Sequence, residues 1–134
     1  LKARRGLPIS FCAPDGTVIL VGKNNAQNDT LTFRTAAPTD IWLHVRDIPG
    51  SHVILRTNGD ASTEQALHLA AQIAAHFSKA RGSSNVPVDY TAVRFVKKPA
   101  GAAPGFVRFI NEKTLFVTED EDELAPILAQ DPTV

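Results

Sequence analysis

The stretch Thr63-Glu-Gln-Ala-Leu-His-Leu-Ala-Ala-Gln-Ile-Ala-Ala-His-Phe-Ser-Lys-Ala-Arg81 decides the fold class. Ala66, Leu69, Ala70, Ile73 and Phe77 recur at three- and four-residue spacing and form an apolar stripe on one side of a helix. His68, Gln72 and His76 fall on the opposite side. Ser62 is placed to cap the first turn, with Gln65 three residues on as in a capping box. Gly82 is placed to end the last turn. The spacing predicts one long helix over residues 63–81.

The flanking sequence reads as short strands. Residues 9–12 and 17–21 are apolar and bracket the turn Ala13-Pro14-Asp15-Gly16, a hairpin signal. Residues 41–45 and 52–56 are further strands, separated by Asp47-Ile48-Pro49-Gly50-Ser51. Past Pro87, residues 88–96, 106–110 and 114–118 are rich in β-branched and aromatic types, as three antiparallel strands would be. Asn24 and Asn25 are good N-caps for a short helix around 28–35, although Thr30 and Thr32 fit a helix poorly. Strands clustered around one long helix give an α+β fold: a mixed or antiparallel sheet packed against one long and one short helix.

The chain has 134 residues, 43% hydrophobic and 21% charged, enough for one domain and ordinary for a globular one. A wholly disordered or collagen-like chain is excluded. No apolar run approaches the ~18 residues of a membrane span, so no membrane partner is expected. The chain begins at Leu1, contains no Met and shows no signal peptide. These features read as a domain cut from a longer cytoplasmic protein. The single cysteine, Cys12, fits a reducing compartment and a packing role.

A net charge of zero hides an asymmetry. All 14 Lys and Arg residues lie between Lys2 and Lys113, with only 8 of the 14 acids, so this body carries +6. The stretch from Thr114 carries −6, most of it in Glu119-Asp-Glu-Asp-Glu123. The expected division is a single domain over 1–118 and an acidic, flexible tail over 119–134, with one helical turn at most near 124–129. A basic body suits an anionic partner such as nucleic acid. A merely solvated surface suits the charges equally well.

Asp40-Ile-Trp-Leu-His-Val-Arg46 carries the most chemistry. Alternation in a strand points Ile41, Leu43 and Val45 into the core. Trp42, His44 and Arg46 then share the other face, where rings stack on bases and a guanidinium meets phosphate. His52 and Arg56 extend that face if the next strand pairs nearby. The competing reading is a packed Trp42, favoured by roughly two to one on burial tendencies. Gly22-Lys23-Asn24-Asn25 before a helix start is an anion-holding arrangement, or else an Asn cap beside an exposed lysine. Lys97 and Lys98, on a Gly/Pro-rich hairpin tip, can reach a phosphate backbone. His44 and His52 with an oxygen from Asp40 or Asp47 are a candidate metal set, and Asp40, His44 and His52 suggest a metal-dependent hydrolase or nuclease, but they lack a recognised ligand spacing.

Five segments, in order, resemble the NFACT-R domain, an RNA-binding module. They are Gly22-Lys-Asn-Asn-Ala-Gln-Asn-Asp29, Asp40-Ile-Trp-Leu-His44, Ile48-Pro-Gly-Ser-His-Val53, Lys98-Pro-Ala-Gly101 and Lys113-Thr-Leu-Phe-Val117. The likeness covers residues 7–118, and the acidic stretch beyond has no counterpart in it. It implies a non-catalytic module, without cofactor or metal, that contacts tRNA and the RNA of the large ribosomal subunit. It further implies a parent protein with other domains, which supports alanine tailing of stalled nascent chains in ribosome-associated quality control. Many bacterial members are described as fibronectin-binding proteins, so a surface adhesin is the alternative. The RNA-facing residues expected on these grounds are Lys23, Asn24, Asn25, Asn28, Trp42, His44, Arg46, Ser51, His52, Lys97 and Lys98.

Overall fold

The computed structural model describes residues 6–134; the start of the expected domain, residues 1–5, lies outside the described residues. Strands β1 (Ile9–Cys12) and β2 (Val18–Val21) pair antiparallel around the expected turn. Gly16 takes φ +89° there, a left-handed conformation that glycine adopts without steric cost. Asp15 Oδ1 accepts the Thr17 backbone N–H at 2.9 Å. Asp15 Oδ2 accepts the Thr63 hydroxyl at 3.0 Å and ties the turn to the long helix.

Helix α1 (Asn25–Thr30) follows and continues as one π-helical stretch, Leu31–Thr35. Strands β3 (Ile41–Val45) and β4 (Val53–Leu55) come next, then helix α2 (Glu64–His76) and strand β5 (Val86–Ala92). A 3-10 turn (Val93–Phe95) leads into β6 (Val96–Lys97), which pairs with β7 (Arg108–Phe109) as a small separate ribbon. Strand β8 (Lys113–Val117) and helix α3 (Glu121–Leu128) complete the chain. The main sheet runs β1-β2-β4-β3-β5-β8, every pair antiparallel, so the fold is α+β as expected. Among the described residues no helix is long and apolar enough to cross a membrane.

Helix α2 covers one face of the sheet, and its alanines let it sit close. Leu69, Ala70 and Ile73 pack there with Leu43, Val45, Val53 and Leu55. The cap is Thr63 rather than Ser62: the Thr63 hydroxyl oxygen accepts the Ala66 N–H at 3.0 Å. The helix also ends earlier than its periodicity predicts. Residues 77–79 leave it to pair with the β3–β4 loop, Ser51 N–H reaching Phe77 O at 3.0 Å and Lys79 N–H reaching Pro49 O at 3.1 Å. A Cβ on Gly50 would stand 2.8 Å from Ser78 Cβ, so this crossing requires glycine.

The acidic segment is a helix and not a frayed tail. Asp120 caps α3 by accepting the N–H groups of Asp122 and Glu123, and three acids occupy its first turn, where the helix dipole favours them. Leu124 and Ile127 are buried against the main core. Gln72, expected on the solvated side of α2, is buried beneath this segment. Its Nε2 donates to Glu123 at 3.1 Å, and its Oε1 accepts Asp120 N–H at 2.8 Å.

The opposite face of the sheet is also covered. Leu20, Trp42 and Ile54 point there, as strand alternation requires, and meet Leu31, Val93, Val96, Val107 and Phe109. The π-helical stretch and the β6–β7 ribbon thus build a second, smaller core over the strand that was to offer an open platform.

Candidate nucleic-acid interface

Two clefts adjoin along the Pro49–Ser51 segment. The first, about 380 Å³, is lined by Lys23, Asn24, Asn25, Asn28, Gly50, Ser51, Lys79 and Arg81, among others. The second, about 350 Å³, is lined by Trp42, His44, Arg46, Pro49, His52, Asp89, Phe106 and Phe109, among others. Pro49 lines both. The structure therefore gathers nine of the eleven expected residues into one neighbourhood and leaves Lys97 and Lys98 outside both linings.

The first cleft is cationic. Lys23, Lys79 and Arg81 are exposed, and neither Lys23 nor Lys79 forms an ion pair with any described residue. Arg81 Nε donates to the His76 carbonyl at 2.6 Å, which fixes the guanidinium at the end of α2. The first two N–H groups of the Gly22 turn are engaged inside the protein. Gly22 N–H reaches His52 O, Lys23 N–H reaches Gln27 Oε1 at 2.7 Å, and the Asn24 side chain accepts Gln27 N–H at 2.8 Å. The N–H groups of Gly22 and Lys23 are thus not free to hold an anion, and the Lys23 side chain is the exposed cation of this turn.

Asn28 is buried, and its Oδ1 accepts His52 N–H at 3.1 Å. A Cβ on Gly22 would lie 1.9 Å from that Oδ1 and 3.1 Å from Asn28 Cα. Gly22→Ala is therefore expected to break the Asn28–His52 bond and lower unfolding free energy by about 2–3 kcal/mol. Urea titration followed by circular dichroism measures this, and a loss below about 0.5 kcal/mol would show that Asn28 relocates freely.

In the second cleft, Trp42 is 1% exposed and cannot offer a ring face to a base. Its ring stacks on His44 with centroids 5.8 Å apart, meets His52 edge-on at 5.5 Å and tilts against Phe109 at 4.8 Å. His52 is equally buried. Its Nδ1 lies 2.9 Å from the Thr32 hydroxyl and its Nε2 3.1 Å from Gly105 O, so both ring nitrogens are engaged. Burial, and next the neighbouring His44, push the His52 pKa down to about 4. Burial also lowers that of His44, whose Nε2 contacts Gly50 O at 3.2 Å. Arg46 is partly exposed but bound to Asp89 at 2.9 Å, so a carboxylate already offsets its charge.

Lys98 is an internal tether. Its Nζ sits 3.1 Å from Asp29 Oδ2, donates to Phe106 O at 2.9 Å and contacts the carbonyl of Ala103. With Gly105 N–H also on Asp29 at 3.0 Å, it pins the 98–106 arm onto α1. Lys97 is exposed on β6. Asp40 does not converge with the histidines: its oxygens accept Ala37 N–H and Thr57 N–H, and Arg56 stands 3.5 Å away. Among the described residues no three His, Cys, Asp or Glu side chains are grouped to hold a metal.

Sequence reasoning missed Lys79, Arg81 and Phe106. The first two seemed to continue a helix, and only the pairing of 77–79 with 49–51 turns them into the cleft. Phe106 is 54% exposed, and its signal was an aromatic directly after Pro104-Gly105 at a loop tip.

An α+β domain with unpaired cations gathered round one cleft has the outline of an anion-binding module. The family profile described as NFACT protein RNA binding domain matches residues 8–111, and the chain belongs to that family. It is 60% identical over 113 residues to the Rqc2 homolog RqcH of Bacillus subtilis, covering 84% of this chain and 20% of that protein. It is 49% identical over 122 residues to the Rqc2 homolog RqcH of Streptococcus suis, covering 90% and 22%. The chain thus spans about a fifth of the length of these relatives. A solved structure, the C-terminal of the fibronectin/fibrinogen-binding protein from Streptococcus suis, superposes with a TM-score of 0.85 at 46% identity, over 90% of this chain and 49% of that one.

Proposed function

We propose that this chain is the RNA-contacting module of a cytoplasmic, ribosome-associated quality-control factor of the RqcH kind. It binds tRNA or large-subunit ribosomal RNA without catalysing a reaction, and its parent protein supports alanine tailing of stalled chains. The observation that carries the reading is the basic cleft: Lys23, Lys79 and Arg81 around one opening, with Asn24, Asn25 and Ser51 as polar partners. Side chains of this type neutralise phosphates and release counterions.

Reversing Lys23, Lys79 and Arg81 to glutamate is expected to weaken tRNA binding roughly a hundredfold or more and to flatten the salt dependence by about two to three units of log–log slope. Anisotropy titrations across a salt series measure both. Unchanged affinity, or a salt-independent signal, overturns the reading. The description of the Streptococcus suis relative as a fibronectin/fibrinogen-binding protein motivates a second one, an adhesin module. Saturable fibronectin binding that survives the same charge reversals would favour it.

A further inference from the structure

We propose that the second cleft is a base pocket: it receives one unstacked nucleobase of single-stranded RNA, while the sugar–phosphate chain crosses Pro49 into the basic cleft. The proposal rests on the RNA reading above and adds a ligand class to a site that this reading leaves empty. Four observations carry it.

The cleft is about 350 Å³, within the size range of small-ligand sites, and it abuts the cationic cleft at Pro49. Base and backbone can therefore occupy neighbouring compartments of different character. Phe106 stands at its edge, 54% exposed, and supplies the aromatic face that Trp42 withholds. The arm that carries Phe106 is held in place by Asp29, Lys98 and His52 through Gly105 and its neighbours, so the wall is formed before any ligand arrives. Finally, Trp42 lines the cleft, and its Nε1 is the one buried side-chain polar atom among the described residues without a hydrogen-bond partner. Buried indole N–H groups normally find an acceptor; this one is closed to solvent in the unliganded fold, so a base carbonyl reaches it only as the ring or its neighbours shift on binding. Bases held in a duplex are stacked and do not enter, so the pocket selects unpaired positions.

The test compares two strands of equal length, a short single-stranded RNA and a chain of abasic ribose phosphates, by anisotropy on the 134-residue chain. The wild-type protein is expected to prefer the base-bearing strand by roughly tenfold. Phe106→Ala, at an exposed position, and Trp42→Phe, which keeps a ring but removes the orphan N–H, are both expected to shrink that preference to about twofold or less. Their affinity for the abasic strand and their salt slope should stay unchanged. Equal wild-type affinity for the two strands, with salt dependence intact, overturns the base pocket and spares the basic cleft. So does a Phe106→Ala protein that retains the full preference. Loss of salt-dependent binding to both strands in the wild type overturns the RNA reading itself, and the pocket with it.

Discussion

Trp42→Ala is expected to lower the unfolding free energy by about 3–5 kcal/mol, a large share of the ~5–15 kcal/mol that holds a domain of this kind together. Trp42 is among the largest fully buried side chains and sits at the centre of the smaller core, against His44, His52 and Phe109. Because its Nε1 makes no hydrogen bond, the loss is packing and cavity formation alone. Trp42→Phe keeps most of the volume and should cost less than half as much. Urea unfolding by circular dichroism gives both values, since the chain's single tryptophan is the residue removed. A Trp42→Ala loss below about 1 kcal/mol would show that the β6–β7 ribbon closes over the gap. The same geometry governs how binding data on this residue are read. Trp42→Ala releases the rings that line the second cleft, so weaker RNA binding by it reports disordered walls; Trp42→Phe is the variant that isolates the N–H.

That Trp42 lies inside exposes the limit of strand alternation as a guide. Alternation along Ile41–Val45 assigns faces correctly: Leu43 and Val45 meet helix α2, and Trp42 points away from it. It does not say what lies beyond the second face. The cover comes from two strands of two residues each and an arm fixed by Lys98 and Asp29, 69 positions apart in sequence. Contacts so local in strand length and so remote in sequence leave no periodic trace. The acidic segment misleads for a related reason. Five adjacent acids repel one another in an extended chain, yet Asp120 here caps a helix whose first turn prefers negative charge. Leu124 and Ile127, three apart, were the legible sign of a buried stripe, and a buried Gln72 is the partner no local pattern announces. For the cleft, Lys23 and Ser51 were readable because each sits in a turn. Lys79 and Arg81 were not, because the helix was expected to run through them.

Acidification from pH 7 to pH 5 is expected to remove about 2 kcal/mol of stability through His52 alone. The sign follows from where the proton goes. In the unfolded chain a histidine titrates near 6.5, whereas in the folded protein burial holds His52 at about 4. Between these values the unfolded state binds the proton and the folded state does not, so protonation pulls the equilibrium toward unfolding. The contribution is complete above pH 6.5, decays as pH falls, and has lost about 3 kcal/mol once pH reaches 4. His44, also lowered by burial, acts in the same direction. The Asp15 carboxyl, which hydrogen bonds from Thr17 hold below its ordinary value, titrates under this window and does not obscure it. Charging the His52 ring would also turn Nδ1 into a donor facing the Thr32 hydroxyl, and would place a cation 5.7 Å from the His44 ring. Urea titrations at pH 7, 6 and 5 measure the loss in the wild type and in His52→Gln, which has no proton to take up. The variant starts less stable, and its pH dependence over this range should shrink toward the share left by His44. An identical pH profile in both proteins would mean that His52 is reached by solvent protons in the native state, and that the closed geometry around Gly105 and Thr32 does not persist in solution.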